Sequence, residues 1–155
     1  MSFLRTFLAA LGIVASAAAN ADDSKVAADA KASAAWIAKA LSASGYKADF
    51  SVESLREVDR FFDDHAPNGH PKPGGLLSSD VGARLFALGG YIGEVIRRAC
   101  GGDWKGNDKD PEAEITIALQ LKNGTTLWPV QRVMKRFKNG SEDGVYVYGV
   151  AATRP

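Results

Sequence analysis

The sequence predicts an α+β domain. Three segments with helical spacing of apolar residues come first, and two alternating runs then meet at an Asn-Gly turn. A basic helical segment separates that hairpin from a last aromatic run. The expected architecture is three main helices packed on a small antiparallel sheet. The hairpin and a C-terminal strand form the sheet, and the short basic helix lies between its last two strands.

The first helix spans Ser24 to Ala43, with Val26, Ala30, Ala34, Ile37 and Leu41 on one face and Ser44-Gly45 ending the pattern. A short extended connection runs through Tyr46, Ala48 and Phe50. Ser51 can cap a second helix whose stripe is Leu55, Val58, Phe61 and Phe62, with Glu53, Arg56, Glu57, Asp59, Arg60 and Asp63 turned to water. Prolines and glycines make residues 65–78 a loop. Asp80 is the cap expected for a third helix with Val81, Leu85, Leu88, Ile92, Ile96 and Ala99 in line. Gly82, Gly89 and Gly93 flank that stripe, and only Arg84, Tyr91 and Glu94 are ionisable between Val81 and Val95. A helix this short of charge is expected to be central, with neighbours close to its glycines.

Beyond Gly101-Gly102 the period becomes two, with Ile115, Ile117, Leu119 and Leu121 alternating with polar or small residues. A two-residue turn at Asn123-Gly124 pairs Leu121 with Thr126, Leu119 with Trp128 and Ile117 with Val130, which points Trp128 into the core. Pro129 limits that strand to an edge. Val130, Val133, Met134 and Phe137 then keep helical spacing up to Asn139-Gly140, and Val145 to Ala151 reads as the final strand.

Of the 155 residues, 46% are hydrophobic and 24% charged, with 19 basic against 18 acidic side chains. This balance excludes a disordered chain and a surface built to neutralise a phosphate backbone, so nucleic acid is not an expected partner. Arg5, the apolar stretch Phe7 to Ala18 and Ala19-Asn20-Ala21 form the pattern of a secretory leader over residues 1–21. Its apolar part is shorter than the ~20 residues that span a bilayer. The expected product is periplasmic or secreted, and peripheral to a membrane at most. Residues 22–50 form the alanine-rich helix and its connection, and residues 51–155 the α+β domain. Cys100, the single cysteine, offers no intrachain disulfide and reads as a small buried hydrophobe.

Three stretches together resemble an uncharacterised family of small bacterial α+β domains. They are Gly89-Gly90-Tyr91-Ile92-Gly93-Glu94-Val95-Ile96-Arg97, Gly101-Gly102-Asp103-Trp104, and Trp128-Pro129-Val130-Gln131-Arg132-Val133-Met134-Lys135-Arg136 through Asn139-Gly140. The likeness includes Ser54 to Arg60 and covers most of the chain after Phe50. It implies a single domain ending near the last strand, and it transfers no activity or catalytic residue.

Glu94 is the one acid on the central helix, and two readings of it are open. Burial would raise its pKa and suit it to general acid or base work. Arg97 and Arg98, three and four residues on, favour a structural ion pair instead. Arg97, Arg98, Arg132, Lys135, Arg136 and Lys138 would form an anion-binding patch if the short helix packed beside the end of the third, although cations at helix C-termini also answer the helix dipole. Trp104, Tyr91, Tyr146 and Tyr148 either line a ligand cleft or pack in the core. Asp63, Asp64, His65 and His70 match no zinc spacing, and Asp103, Asn107, Asp108 and Asp110 do not fit a calcium loop, so no metal or cofactor is expected and both groups read as solvated. No nucleophile elbow, phosphate-cradling loop or dinucleotide fingerprint occurs.

The reading that results is a small exported binding or accessory protein. It acts through Arg97, Arg98, Trp104, Arg132, Lys135 and Arg136 on a protein or acidic envelope partner, a toxin it neutralises included. The alternative is a cell-envelope hydrolase using Glu94.

Overall fold

The computed structural model describes residues 24–155; the leader predicted over residues 1–21 lies outside them. In chain order the described elements are α1 (Lys25–Ala43), a 3-10 turn (Val52–Ser54), α2 (Leu55–His65), a 3-10 turn (Pro67–Gly69), α3 (Val81–Cys100) and β1 (Gly102–Lys105). They continue with α4 (Ala113–Thr116), β2 (Ala118–Leu121), β3 (Thr126–Leu127), α5 (Pro129–Asn139), a 3-10 turn (Ser141–Asp143) and α6 (Val145–Ala152). Six helices thus pack against an open antiparallel sheet of order β1-β2-β3, an α+β fold.

α3 is the axis of the fold. Every residue from Leu85 to Ile96 is buried, so the helix has neighbours on all sides over three turns. Its glycines set how close those neighbours come. A Cβ at Gly90 would stand 2.5 Å from the Ala30 carbonyl oxygen of α1, and one at Gly93 would overlap the Trp104 ring of β1. Val130 of α5 closes in the same way on Gly89. Alanine on the facing side of α1 (Ala27, Ala30, Ala34) completes the close approach, and all three are buried.

α1 begins at Ser24, whose hydroxyl accepts the Ala27 N–H at 3.2 Å, and the five apolar positions predicted for its inner face are buried. The Asp108 carboxylate, from the turn after β1, adds the N–H groups of Lys25 and Val26 at 2.8 and 3.0 Å. These donors hold Asp108 below the usual carboxylate range. Asp108 was read as a solvated acid; it is instead an N-terminal anchor supplied from a distant part of the chain. Asp80 differs in the other direction. It occupies the cap position of α3 in a left-handed conformation (φ 51°), and its side chain accepts no capping hydrogen bond.

The sheet departs from the expectation at three places. β1 was missed altogether; it pairs with β2 so that Trp104 lies opposite Leu119, both buried. The alternation predicted from Ile115 onward starts later, because residues 113–116 close a helical turn held by Asp110, which accepts the Glu112 N–H and the Thr116 hydroxyl. The hairpin register is the third difference. Leu121 N–H donates to the Thr125 carbonyl at 2.8 Å and Leu119 lies opposite Leu127, so the loop is Lys122-Asn123-Gly124, with Gly124 at φ 91°. A three-residue loop ending in a left-handed glycine replaces the two-residue turn. Because side chains alternate across a strand, that slip of one residue turns Trp128 outward instead of into the core.

The C-terminal run is a helix, not a strand. Val145-Tyr146-Val147-Tyr148 carries strand-like residues, yet Gly149 of α6 lies against Leu55 of α2 and the Val145 and Tyr146 N–H groups both reach Asp59 at 3.0 Å. Asp59, expected in water, thereby caps α6 from another helix. Tertiary contacts outweigh local β preference here.

These contacts fix the effect of adding one methyl group to α3. Gly90→Ala and Gly93→Ala are each expected to lower stability by about 1–3 kcal/mol through overpacking. Gly82→Ala, with open space at its Cβ, is expected to raise it by about 0.5–1 kcal/mol. Urea unfolding of the three variants measures the contrast.

Candidate functional site

Glu94 is sealed. It is 4% exposed; its Oε2 accepts Arg97 Nε at 2.5 Å and the Trp104 indole N–H at 3.0 Å, and its Oε1 accepts Arg97 Nη2 at 3.0 Å. Burial alone would raise this carboxyl. The hydrogen bonds from Arg97 and Trp104, with the charges of Arg97 and Arg98, outweigh it and hold the group below the usual carboxylate range. A general acid needs a raised pKa and a face open to substrate, and Glu94 has neither. Of its two predicted neighbours, Arg97 makes the ion pair, whereas Arg98 stacks 3.7 Å over the Phe50 ring.

Trp104 is therefore a core residue that orients Glu94, not a contact residue, and it is 1% exposed. Tyr91 is buried as well, its hydroxyl 2.6 Å from Ser54 Oγ and accepting the Phe50 N–H at 3.0 Å.

Arg136 is the second correction. It is 2% exposed, giving Nε to Asp59 Oδ1 at 2.8 Å and Nη2 to both the Asp59 carbonyl at 3.0 Å and Asp63 Oδ1 at 2.7 Å. This guanidinium joins α5 to α2, and through Asp59 to the start of α6. Sequence spacing places it on the basic side of α5 but cannot reveal that two acids of another helix face it.

The single basic patch does not form. α5 runs antiparallel to α3: Val130 meets Gly89, while Met134, Phe137 and Lys138 share a cleft with Leu85. Arg97 lies past Leu85 by roughly 18 Å along the axis at 1.5 Å per residue, so Arg97 and Arg98 sit at the opposite end of α3 from Lys138.

What α5 does present is an outer stripe at helical spacing: Trp128, Gln131, Met134 with Lys135, and Lys138. Trp128 is 46% exposed and Met134 is exposed, so two large apolar side chains on one helix face remain in contact with water. Trp128, Gln131, Arg132, Lys135, Thr126, Leu127 and Tyr148 line a cleft of about 240 Å³. Arg132 forms one wall, held by Asp143 Oδ1 at 3.1 Å and lying 4.6 Å over the Tyr148 ring. Burial raises the Tyr148 hydroxyl above the ordinary phenol value, with Arg132 working against it, so the group stays neutral and able to donate. Among the described residues neither Lys135 nor Lys138 has an acidic partner within 4.0 Å. Of the predicted binding residues, this cleft brings together Arg132 and Lys135. It adds Trp128, which a correct hairpin register would have placed outside, and Gln131.

A separate groove holds Tyr146, with Arg56 stacked 3.7 Å over its ring and its hydroxyl donating to Glu53 at 2.9 Å. His65 Nδ1 accepts the Leu76 N–H at 3.2 Å. Among the described residues no three His, Cys, Asp or Glu side chains are grouped to hold a metal, and no helix is long and apolar enough to cross a membrane.

Comparison of the chain with protein-family models, with curated proteins and with solved structures gives no match.

The two buried ion pairs and the exposed stripe respond oppositely to substitution. Arg136→Met is expected to cost about 2–4 kcal/mol, because Asp59 and Asp63 lose the guanidinium that joins α5 to α2 while Asp59 keeps its two backbone donors, whereas Lys135→Glu is expected to leave the melting temperature unchanged. Glu94→Gln is expected to cost about 2 kcal/mol at pH 7. The folded-state pKa of Glu94 is depressed, so its contribution is fully present above the unfolded carboxyl value and disappears as pH falls through the folded one. Thermal melts from pH 7 down to pH 3 should accordingly show the wild-type and Glu94→Gln curves converging in acid.

Proposed function

We propose that this protein is a non-enzymatic binding or accessory domain, exported to the periplasm or beyond, which docks an acidic protein through the outer face of α5. The observation that carries the reading is the exposed Trp128 with Lys135 in the same cleft, and a second lysine, Lys138, further along the same outer face of α5. Tryptophan and methionine are residue types that dominate contact energetics, and a large indole left in water loses the burial that would favour it. Lys135, Lys138 and the rim of Arg132 supply the sign of the partner by complementarity, which acts most on encounter rate and selectivity. The cleft beside Trp128 accepts one projecting side chain; the Gln131 amide nitrogen donates to the Ile115 carbonyl at 3.4 Å, which leaves its oxygen and the Tyr148 hydroxyl for the polar end. Neutralisation of an acidic toxin is one form such docking takes. A hydrolase based on Glu94 has no support, since that carboxylate is enclosed and ionised by its partners.

The test is capture from native envelope extract by tagged wild type, by Trp128→Ala/Lys135→Glu, and by Lys109→Glu as a control on a remote exposed cation. Wild type and the control should enrich the same acidic protein, released as ionic strength rises. The double variant should lose it at least tenfold with an unaltered melting temperature. Equal capture by all three rules out the α5 face.

A further inference from the structure

A second cleft lies where α1, α2, the loop before α3 and the first turn of α3 meet. Trp36, Ile37, Ala40, Leu41 and Ser44 of α1 and its end form one wall, Phe61 the floor, and Leu76 and Arg84 the far side. Two features set it apart from a packing defect. Trp36 is 55% exposed and Leu76 is exposed as well, so the rim displays apolar surface that folding did not cover. Arg84 is the only ionisable side chain in the lining.

Arg84 has spare capacity. Its Nη1 donates to the Leu76 carbonyl, and among the described residues its side chain has no other hydrogen bond and no acidic partner within 4.0 Å. A guanidinium carries five N–H donors in a planar fork suited to a carboxylate. The other polar side chain in the lining is Ser44, and among the described residues that line the cleft none is an acid that could hold a positive group.

The size limits the occupant further. The cleft measures about 130 Å³, comparable to the ~150 Å³ apolar cavity that accommodates a benzene ring. A ring or a short branched chain fits; a long acyl chain does not.

We propose that this cleft binds a small aromatic monocarboxylate, with the ring between Trp36, Ala40, Leu41 and Phe61 and the carboxylate on Arg84. The lining discriminates by charge: an amino acid of the same size brings an ammonium with no partner, and an aromatic amine brings only repulsion from Arg84. This site shares no lining residue with the α5 face, so either proposal can fail without the other.

Phenylacetate, phenylalanine and phenethylamine are the probes, each titrated into the protein and followed by amide and indole chemical shifts. Phenylacetate is expected to bind with a Kd below about 1 mM, within what a ligand of this size can reach. The shifts should cluster at Trp36, Ala40, Leu76 and Arg84, with phenylalanine weaker and phenethylamine silent. Arg84→Gln should weaken phenylacetate about tenfold while leaving benzyl alcohol unaffected, and Ala40→Phe, which fills the cleft, should abolish both. Melting temperatures of the two variants show that they are folded. No phenylacetate binding at 10-fold above that limit, equal binding of phenethylamine, shifts located elsewhere, or an unchanged affinity in Arg84→Gln overturns the proposal.

Discussion

Close approach of neighbouring chain and rings to the glycines of α3 sets where the other helices and the sheet can lie. At Gly90 the α1 chain comes near enough that a methyl group has no room, and at Gly93 the Trp104 ring takes the space a side chain would fill. Glycine weakens a helix by itself, by up to ~1 kcal/mol relative to alanine. Here that weakness is offset by dispersion contacts and by apolar burial along three turns. The same contacts place the sheet. Trp104 packs on Gly93 and donates to Glu94, so β1, and with it β2 and β3, are fixed to the C-terminal half of α3.

Two ionic clusters act as registers between elements. Arg97, Glu94 and Trp104 bind the end of α3 to the sheet, while Arg136, Asp59 and Asp63 bind α5 to α2 and cap α6. Neither is a strong source of net stability, since removing charge from water costs about what the pair returns. Their effect is on which arrangement forms: an Asp59 that accepts Arg136 and two backbone N–H groups tolerates only one docking of three helices. By using Arg136 inside, the fold leaves Lys135 and Lys138 as the exposed cations of α5, with the ion-paired Arg132 part-buried at the cleft wall.

Helix positions were legible in the sequence wherever the apolar spacing was long and regular. α1, α2 and α3 follow it, and the stripe Leu55, Val58, Phe61 and Phe62 is buried. The site was legible only in part. Arg132 and Lys135 lie at the cleft, but Arg136 and Trp104 carry the same sequence signal as surface residues and are interior. Trp128 was misplaced by a hairpin loop one residue longer than Asn-Gly suggests, and with period-two alternation an error of one residue reverses every face. Trp36 carried no signal, and Arg84 stood out only as one of the few ionisable residues of α3, with nothing to join the two. They are distant in sequence, and only the folding of α1 against the start of α3 makes them neighbours.

The class of the fold and the central place of the helix between Val81 and Cys100 are written in the residue order, and for Glu94 the spacing to Arg97 and Arg98 offers an ion pair as one of two readings. These follow from local quantities: spacing of apolar residues, glycine content and the cost of burying a charge. Tertiary structure decided that Val145 to Ala152 is helical, that Asp59 and Asp108 cap helices remote in sequence, and that Trp128 stays outside while Arg136 goes in. Each of those outcomes depends on which group stands opposite in space. A helix end or a guanidinium takes the nearest carboxylate the fold supplies, and sequence distance places no limit on where it comes from.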